Sequence, residues 1–146
     1  MNKLTFEEYL DKYGILIYKN VGFSMLPMLK PGRDLFVVSK KGKTRCKKYD
    51  VILYHRPPND YVLHRIIKVR EYDYVVLGDN CINKEIGIRD SDILGVLIEF
   101  VHKGKTYQVN NKMYKFYIFI WCTFSPIRIR SKKMKGTIVK WAKKIK

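Results

Sequence analysis

Residues 49–77 read YDVILYHRPPNDYVLHRIIKVREYDYVVL. Three runs inside this stretch, Val51 to His55, Tyr61 to Val69 and Tyr74 to Leu77, are rich in valine, isoleucine, leucine and tyrosine and have the length of strands. Pro57-Pro58-Asn59-Asp60 lies between the first two, and Gly78-Asp79-Asn80 follows the third. These residues pre-set or tolerate turn geometry, so the stretch predicts consecutive strands that fold back on one another. Outward from it the same pattern recurs at Leu16 to Lys19, Leu35 to Ser39 and Ile93 to Val101, with a weaker run at Thr106 to Val109 and a further turn at Pro31-Gly32-Arg33-Asp34. The expected fold class is mainly β, a meandering antiparallel structure.

Helical periodicity is confined to the two ends. Thr5 followed by Glu8 has the spacing of a capping box, and Phe6, Tyr9, Leu10 and Tyr13 fall on one side of a short helix that Gly14 ends. From Asn110 onward Met113, Phe116, Tyr117, Ile120, Trp121 and Phe124 form a helical stripe in a segment apolar nearly all round. Ser125 and Pro126 then suit the start of a second helix, with Ile127, Met134, Ile138, Trp141 and Ile145 on one side and lysines on the other. The chain is therefore divided into a β domain at 1–109 and a helical, basic, amphipathic tail at 110–146.

The 146 residues include 30 Lys and Arg against 13 Asp and Glu, and 47% are apolar or aromatic, which suits one folded core rather than a disordered polycation. The charge is uneven. Residues 101–146 hold 13 basic and no acidic side chains, which points to an anionic partner for that third of the chain. The three cysteines, Cys46, Cys81 and Cys122, lack a CxxC pair, so neither a disulfide framework nor a zinc site is expected, and no metal or cofactor is implied. The amino-terminal residues offer no apolar stretch of the kind found in a leader or a spanning helix.

Ser24 sits in a turn bounded by Gly22 and Pro27, and His64 stands in the middle of an apolar strand. Singly, one is a turn serine and the other a core histidine. In sequence order, the Ser-Met-x-Pro box at Ser24 to Pro27, the Pro-Gly-x-Asp turn at Pro31 to Asp34, the strand Tyr49 to Tyr54, His64-Arg65, the Gly-Asp-Asn box at 78–80 and the Ile-Leu-Gly-Val strand at Ile93 to Val96 resemble the signal peptidase I and LexA-like serine peptidases. The resemblance runs from about Tyr18 to about Phe100. His64 at the position of the general base is similar to the endoplasmic-reticulum and archaeal branch, in which histidine replaces lysine.

This likeness implies a serine endopeptidase that processes a peptide or protein precursor. Ser24 would be the nucleophile and His64 the base, because a serine hydroxyl needs a neighbouring group to take its proton and neutral imidazole does so near pH 7. Asp79, in the family box, is the first candidate for the acid that orients His64, with Glu85 as a weaker alternative. Gly22, Met25 and Pro27 are the candidate oxyanion and substrate-binding positions. Lys68, four residues beyond His64, is assigned no role.

The 23 residues before Ser24 are too few for a repressor's DNA-binding domain, and Ala142 is the only alanine, so an Ala-Gly self-cleavage site is lacking. The competing expectation is a non-catalytic relative that binds a peptide, a membrane or nucleic acid on the same scaffold. The tail suits a peripheral position on an anionic membrane from the cytoplasmic side, through residues 113–146. Packing of Met113 to Phe124 on the β domain is the alternative. Nucleic acid is disfavoured for want of a recognisable reader motif.

Overall fold

The run Val51-Ile52-Leu53-Tyr54 has no polar residue to place on a solvent face, and a strand of that kind must be covered on both sides. The computed structural model, which describes residues 3–145, covers it on both sides. Val51 and Leu53 enter one core with Leu10, Leu16, Met25, Leu29, Phe36, Val38, Leu63, Leu97 and Phe100. Ile52 and Tyr54 point the other way, into a second core with Cys46, Ile66, Tyr74, Val76 and Ile93. Full burial of one such aliphatic side chain contributes about 1.5–3 kcal/mol.

The strands are β1 (Ile15–Lys19), β2 (Leu35–Lys40), β3 (Val51–Arg56), β4 (Asp60–Val69), β5 (Tyr74–Leu77), β6 (Glu85–Ile88), β7 (Ile93–His102) and β8 (Lys105–Gln108). They form one antiparallel sheet in the order β1-β2-β7-β3-β4-β5-β6, with β8 paired to β7. The register shifts at Val37/Val38, Leu53/Tyr54, Ile66/Lys68 and Tyr74/Val75. Bulges of this kind bend and twist a sheet, which lets it wrap around two cores. The mainly antiparallel β class read from the sequence is the observed one, and β6 is the strand that the sequence reading lacks.

Helix α1 (Phe6–Tyr13) begins at the expected capping box, with the Glu8 N–H donating to Thr5 Oγ1 at 3.2 Å and the Thr5 N–H donating to Glu8 Oε2 at 2.8 Å. Gly14 ends it in the left-handed region at φ 74°, a conformation that favours glycine. At the other end, α2 (Lys112–Thr123) and α3 (Ser125–Lys144) follow one another with Phe124 between them. Phe124, not Ser125, occupies the cap position of α3, and no side chain caps it.

Helix α2 is built into the β domain. Tyr114 is buried among the first core, where its ring lies 5.4 Å from that of Phe100, and Tyr117 and Ile118 pack against the same cluster. Its opposite side, Met113, Phe116, Phe119 and Ile120, is exposed, as is Phe124 at the junction with α3. Beyond Lys132 every residue of α3 is exposed.

Candidate active site

The turn that carries Ser24 is fixed from below by its apolar neighbours. Met25, Met28 and Leu29 are buried, and the Leu29 N–H donates to Met25 O at 2.9 Å. The buried Asn20 ties the two ends together, its Nδ2 donating to Gly22 O at 2.9 Å and to Leu29 O at 3.3 Å. The Pro31 to Asp34 turn locks this arrangement, with the Asn20 N–H donating to Asp34 O and the Gly32 N–H to Asn20 O. The Asp34 carboxylate itself is fully buried. It accepts from Arg33, from the Lys30 and Lys103 N–H groups and from His102, and those donors hold it well below the usual carboxylate range. With its base secured in this way, Ser24 stays half-buried at the edge of a cleft of about 720 Å³.

His64 lines the same cleft from β4. Between the two sits Gly78. A Cβ placed there would lie 2.7 Å from Ser24 O, 3.0 Å from His64 Nε2 and 2.6 Å from Cys81 Sγ, so any side chain would push the serine turn and the imidazole apart. The loop after Gly78 grips the serine turn, with the Asn80 N–H donating to Ser24 O at 2.7 Å and Asn80 Nδ2 donating to Phe23 O at 3.1 Å. No hydrogen bond joins Ser24 to His64 as the chain stands. The N–H groups of Ser24 and Met25 have no partner among the described residues.

The other ring nitrogen of His64 faces the sheet interior. Nδ1 lies 3.2 Å from the Tyr54 hydroxyl and 3.4 Å from Glu85 Oε1. Glu85 reaches this point because β6 pairs with β5 in the register Val76↔Glu85, and Arg56 holds its carboxylate through Nε and Nη2. Burial pushes the His64 pKa below its ordinary value; Glu85 pulls it upward and Arg56 opposes that pull. The neutral imidazole, with Nε2 toward the serine side, is the favoured form at pH 7.

Asp79, the first candidate for the orienting acid, is placed away from Nδ1 of His64. Its carboxylate is held by Arg65 through Nε and Nη2, both at 2.8 Å, and by the Tyr117 hydroxyl at 2.9 Å. Arg65 follows His64 on β4, so its side chain projects from the opposite face and draws its partner to that face. The guanidinium is completely buried and also donates to Tyr49 O and the Tyr114 hydroxyl. Asp79 thus closes a structural ion pair behind the loop and does not touch Nδ1 of His64.

Two further positions differ from expectation. The Met25 side chain lies fully inside the core, where it anchors the serine turn, and only its backbone can face a substrate. Pro27 lines a separate groove beneath α2, with Met28, Phe100 and Tyr114, and not the cleft. Gly22 does line the cleft, and a Cβ there would meet nothing closer than Ser24 Oγ at 4.0 Å. Lys68 stands beyond the bulge at Ile66/Lys68 and is not part of the cleft.

Sequence reasoning missed Tyr54, Arg56 and the contribution of the two C-terminal helices. Trp121 Nε1 donates to Asp79 O at 3.1 Å, and Lys132 Nζ donates to Asn80 O at 2.8 Å and to Asn80 Oδ1. The position of Tyr54 was accessible from the hairpin register, which pairs Ile52 with His64 and sets Tyr54 two residues along on the same face. Nothing local in the sequence announces Lys132. A scan of the sequence against known protein families finds no match, and no curated protein matches it.

Proposed function

We propose that the chain is a serine endopeptidase of signal-peptidase-like type, with Ser24 as nucleophile, His64 as base and Glu85 as the acid that orients the imidazole. The observation that carries this reading is the polarised setting of His64. Nδ1 is turned toward Tyr54 and Glu85, and Nε2 lies on the Gly78 side, next to the turn that bears Ser24. Nε2 takes the Ser24 proton as Oγ attacks the scissile carbonyl carbon. The imidazolium, stabilised by Glu85, then returns the proton to the leaving amine, and water activated by the same nitrogen releases the acyl group. The Ser24 and Met25 N–H groups, having no internal partner, suit the developing oxyanion. The 720 Å³ cleft, lined by Tyr18 to Gly22 on one side and Tyr61 to His64 on the other, accepts an extended peptide.

The test is sequencing of new termini after the protein meets a peptide library, run beside Ser24→Ala. Cleavage confined to the unmutated chain supports the reading, and equal cleavage by both removes it. A second reading, a non-catalytic peptide-binding relative, is favoured by the absent Ser24–His64 hydrogen bond. It requires library peptides to be captured uncut and equally well by Ser24→Ala.

The tail belongs to the same proposal as a peripheral attachment to an anionic membrane. Met113, Phe116, Phe119 and Ile120 form an exposed stripe on α2, and Phe124 at the junction, with Ile127, Met134, Ile138, Trp141 and Ile145, extends it along α3. From a different side of α3, Lys132 donates to Asn80 of the β domain and Arg128 to the Trp121 carbonyl of α2. Among the described residues no helix is long and apolar enough to cross a membrane, so the stripe suits lying in the interface with lysines beside it.

A further inference from the structure

Behind the Gly78–Asn80 loop, on the side away from the serine cleft, lies a cavity of about 270 Å³ between the sheet and the junction of α2 with α3. Its volume equals the liquid share of about nine water molecules. Lys48, Lys84 and Arg128 all line it, and none of the ion pairs among the described residues involves any of the three. The one carboxylate in the lining, Asp79, is spent on Arg65 and Tyr117. Three cations therefore line one half-open cavity whose single carboxylate, Asp79, is already paired.

Arg128 is the most telling of them. Its guanidinium stacks 3.8 Å above the Trp121 ring and gives one nitrogen to Trp121 O at 2.9 Å, leaving its other donors without a partner among the described residues. Arginines 33, 45, 56, 65 and 70 have their pKa raised by a carboxylate or phenol partner, whereas burial pushes that of Arg128 down. Ser125, the first residue of the 20-residue α3, lines the same wall and adds the positive end of the helix dipole. A planar guanidinium fixed by an aromatic ring, with two flexible lysines in the same lining, matches a tetrahedral oxyanion with several acceptor oxygens.

We infer that this cavity is a binding site for a phosphate group, free or carried on a lipid headgroup, held by Arg128, Lys48 and Lys84. Bound phosphate offsets most of the charge of the three cations and braces Gly78 and Asp79, the first of which lies against Ser24 O and His64 Nε2. Binding is measured without reference to peptidase activity, so failure of this proposal and failure of the peptidase reading are separate results.

The experiment compares sodium phosphate with sodium chloride at equal ionic strength, using phosphorus NMR line broadening and thermal shift on the full chain. Phosphate is expected to bind and raise the melting temperature. Arg128→Gln and, independently, the exposed Lys84→Gln are each expected to weaken phosphate binding about tenfold or more. A control that removes Lys140, Lys143 and Lys144 together as glutamines is expected to leave it unchanged. A second arm uses phosphatidylcholine vesicles with and without phosphatidic acid. Loss of phosphatidic-acid-dependent binding in Arg128→Gln, with free phosphate competing, assigns the site to a headgroup. Vesicle binding unaffected by Arg128→Gln assigns it to soluble phosphate. The proposal is overturned if phosphate behaves as chloride does, or if the control weakens phosphate binding as much as Lys84→Gln.

Discussion

Burial decides the protonation state of His64. Because its pKa lies below the ordinary value of about 6.5, the folded chain carries a neutral imidazole across neutral pH and resists protonation until the medium is more acidic. Two results follow from the same shift. The acid limb of the proposed peptidase activity should have its midpoint below pH 6.5, with a plateau above it, as measured by kcat/KM from pH 4.5 to pH 8. A limb that rises only above pH 9 would instead require a lysine base. Stability carries the complementary sign. The unfolded chain binds the proton more readily, so the contribution of His64 falls as pH drops below about 6.5 and is constant above it. Next to the imidazole, Gly78 is set by contact rather than by turn geometry, since two walls of the site meet at its Cα.

The strands were legible in the sequence because their apolar runs are bounded by proline, glycine and aspartate, and because covering both faces of β3 needs only the run itself. β6 was not, since Glu85-Ile86-Gly87-Ile88 is short, half-exposed and interrupted by a glycine at φ 90°. Missing β6 also hid the approach of Glu85 to His64, which comes only through the β5–β6 pairing. The alternation along β4 contained part of the answer. His64 and Arg65 leave the strand on opposite faces, so an acid that pairs with Arg65 cannot also orient His64 from beneath. The two acids should therefore fail differently. Asp79→Ala leaves the Arg65 guanidinium buried without its carboxylate and should cost about 3–5 kcal/mol, read by urea denaturation. Glu85→Gln should fold normally and lower kcat on the order of 10²- to 10⁴-fold. A Glu85→Gln protein with full activity would leave the dyad without a third member.

At the scale of the whole molecule, the charge asymmetry read from the sequence becomes a geometry. Most of the basic third of the chain is a pair of helices that hold the β domain with one side and present an apolar stripe with the other. Phe116 and Phe119 are more than 60% exposed, so Phe116→Ser/Phe119→Ser should not alter folding. It should weaken partition onto anionic vesicles roughly tenfold or more, measured by flotation, because two large apolar side chains no longer leave water. Unchanged flotation would remove the membrane role of α2. The periodicity covers Met113, Phe116, Ile120 and Phe124 of the exposed stripe, but Tyr117 and Trp121 face the body and Phe119 takes their place; the reach of Lys132 back to Asn80 was not visible, since such a contact joins residues distant in sequence. That contact bears on the order in which the protein comes into being. Ser24 and His64 leave the ribosome well before Trp121 and Lys132, which buttress the loop between them. In the proposed peptidase, a nascent chain would therefore hold Ser24 and His64 before the helices that brace the loop after Gly78 have been made.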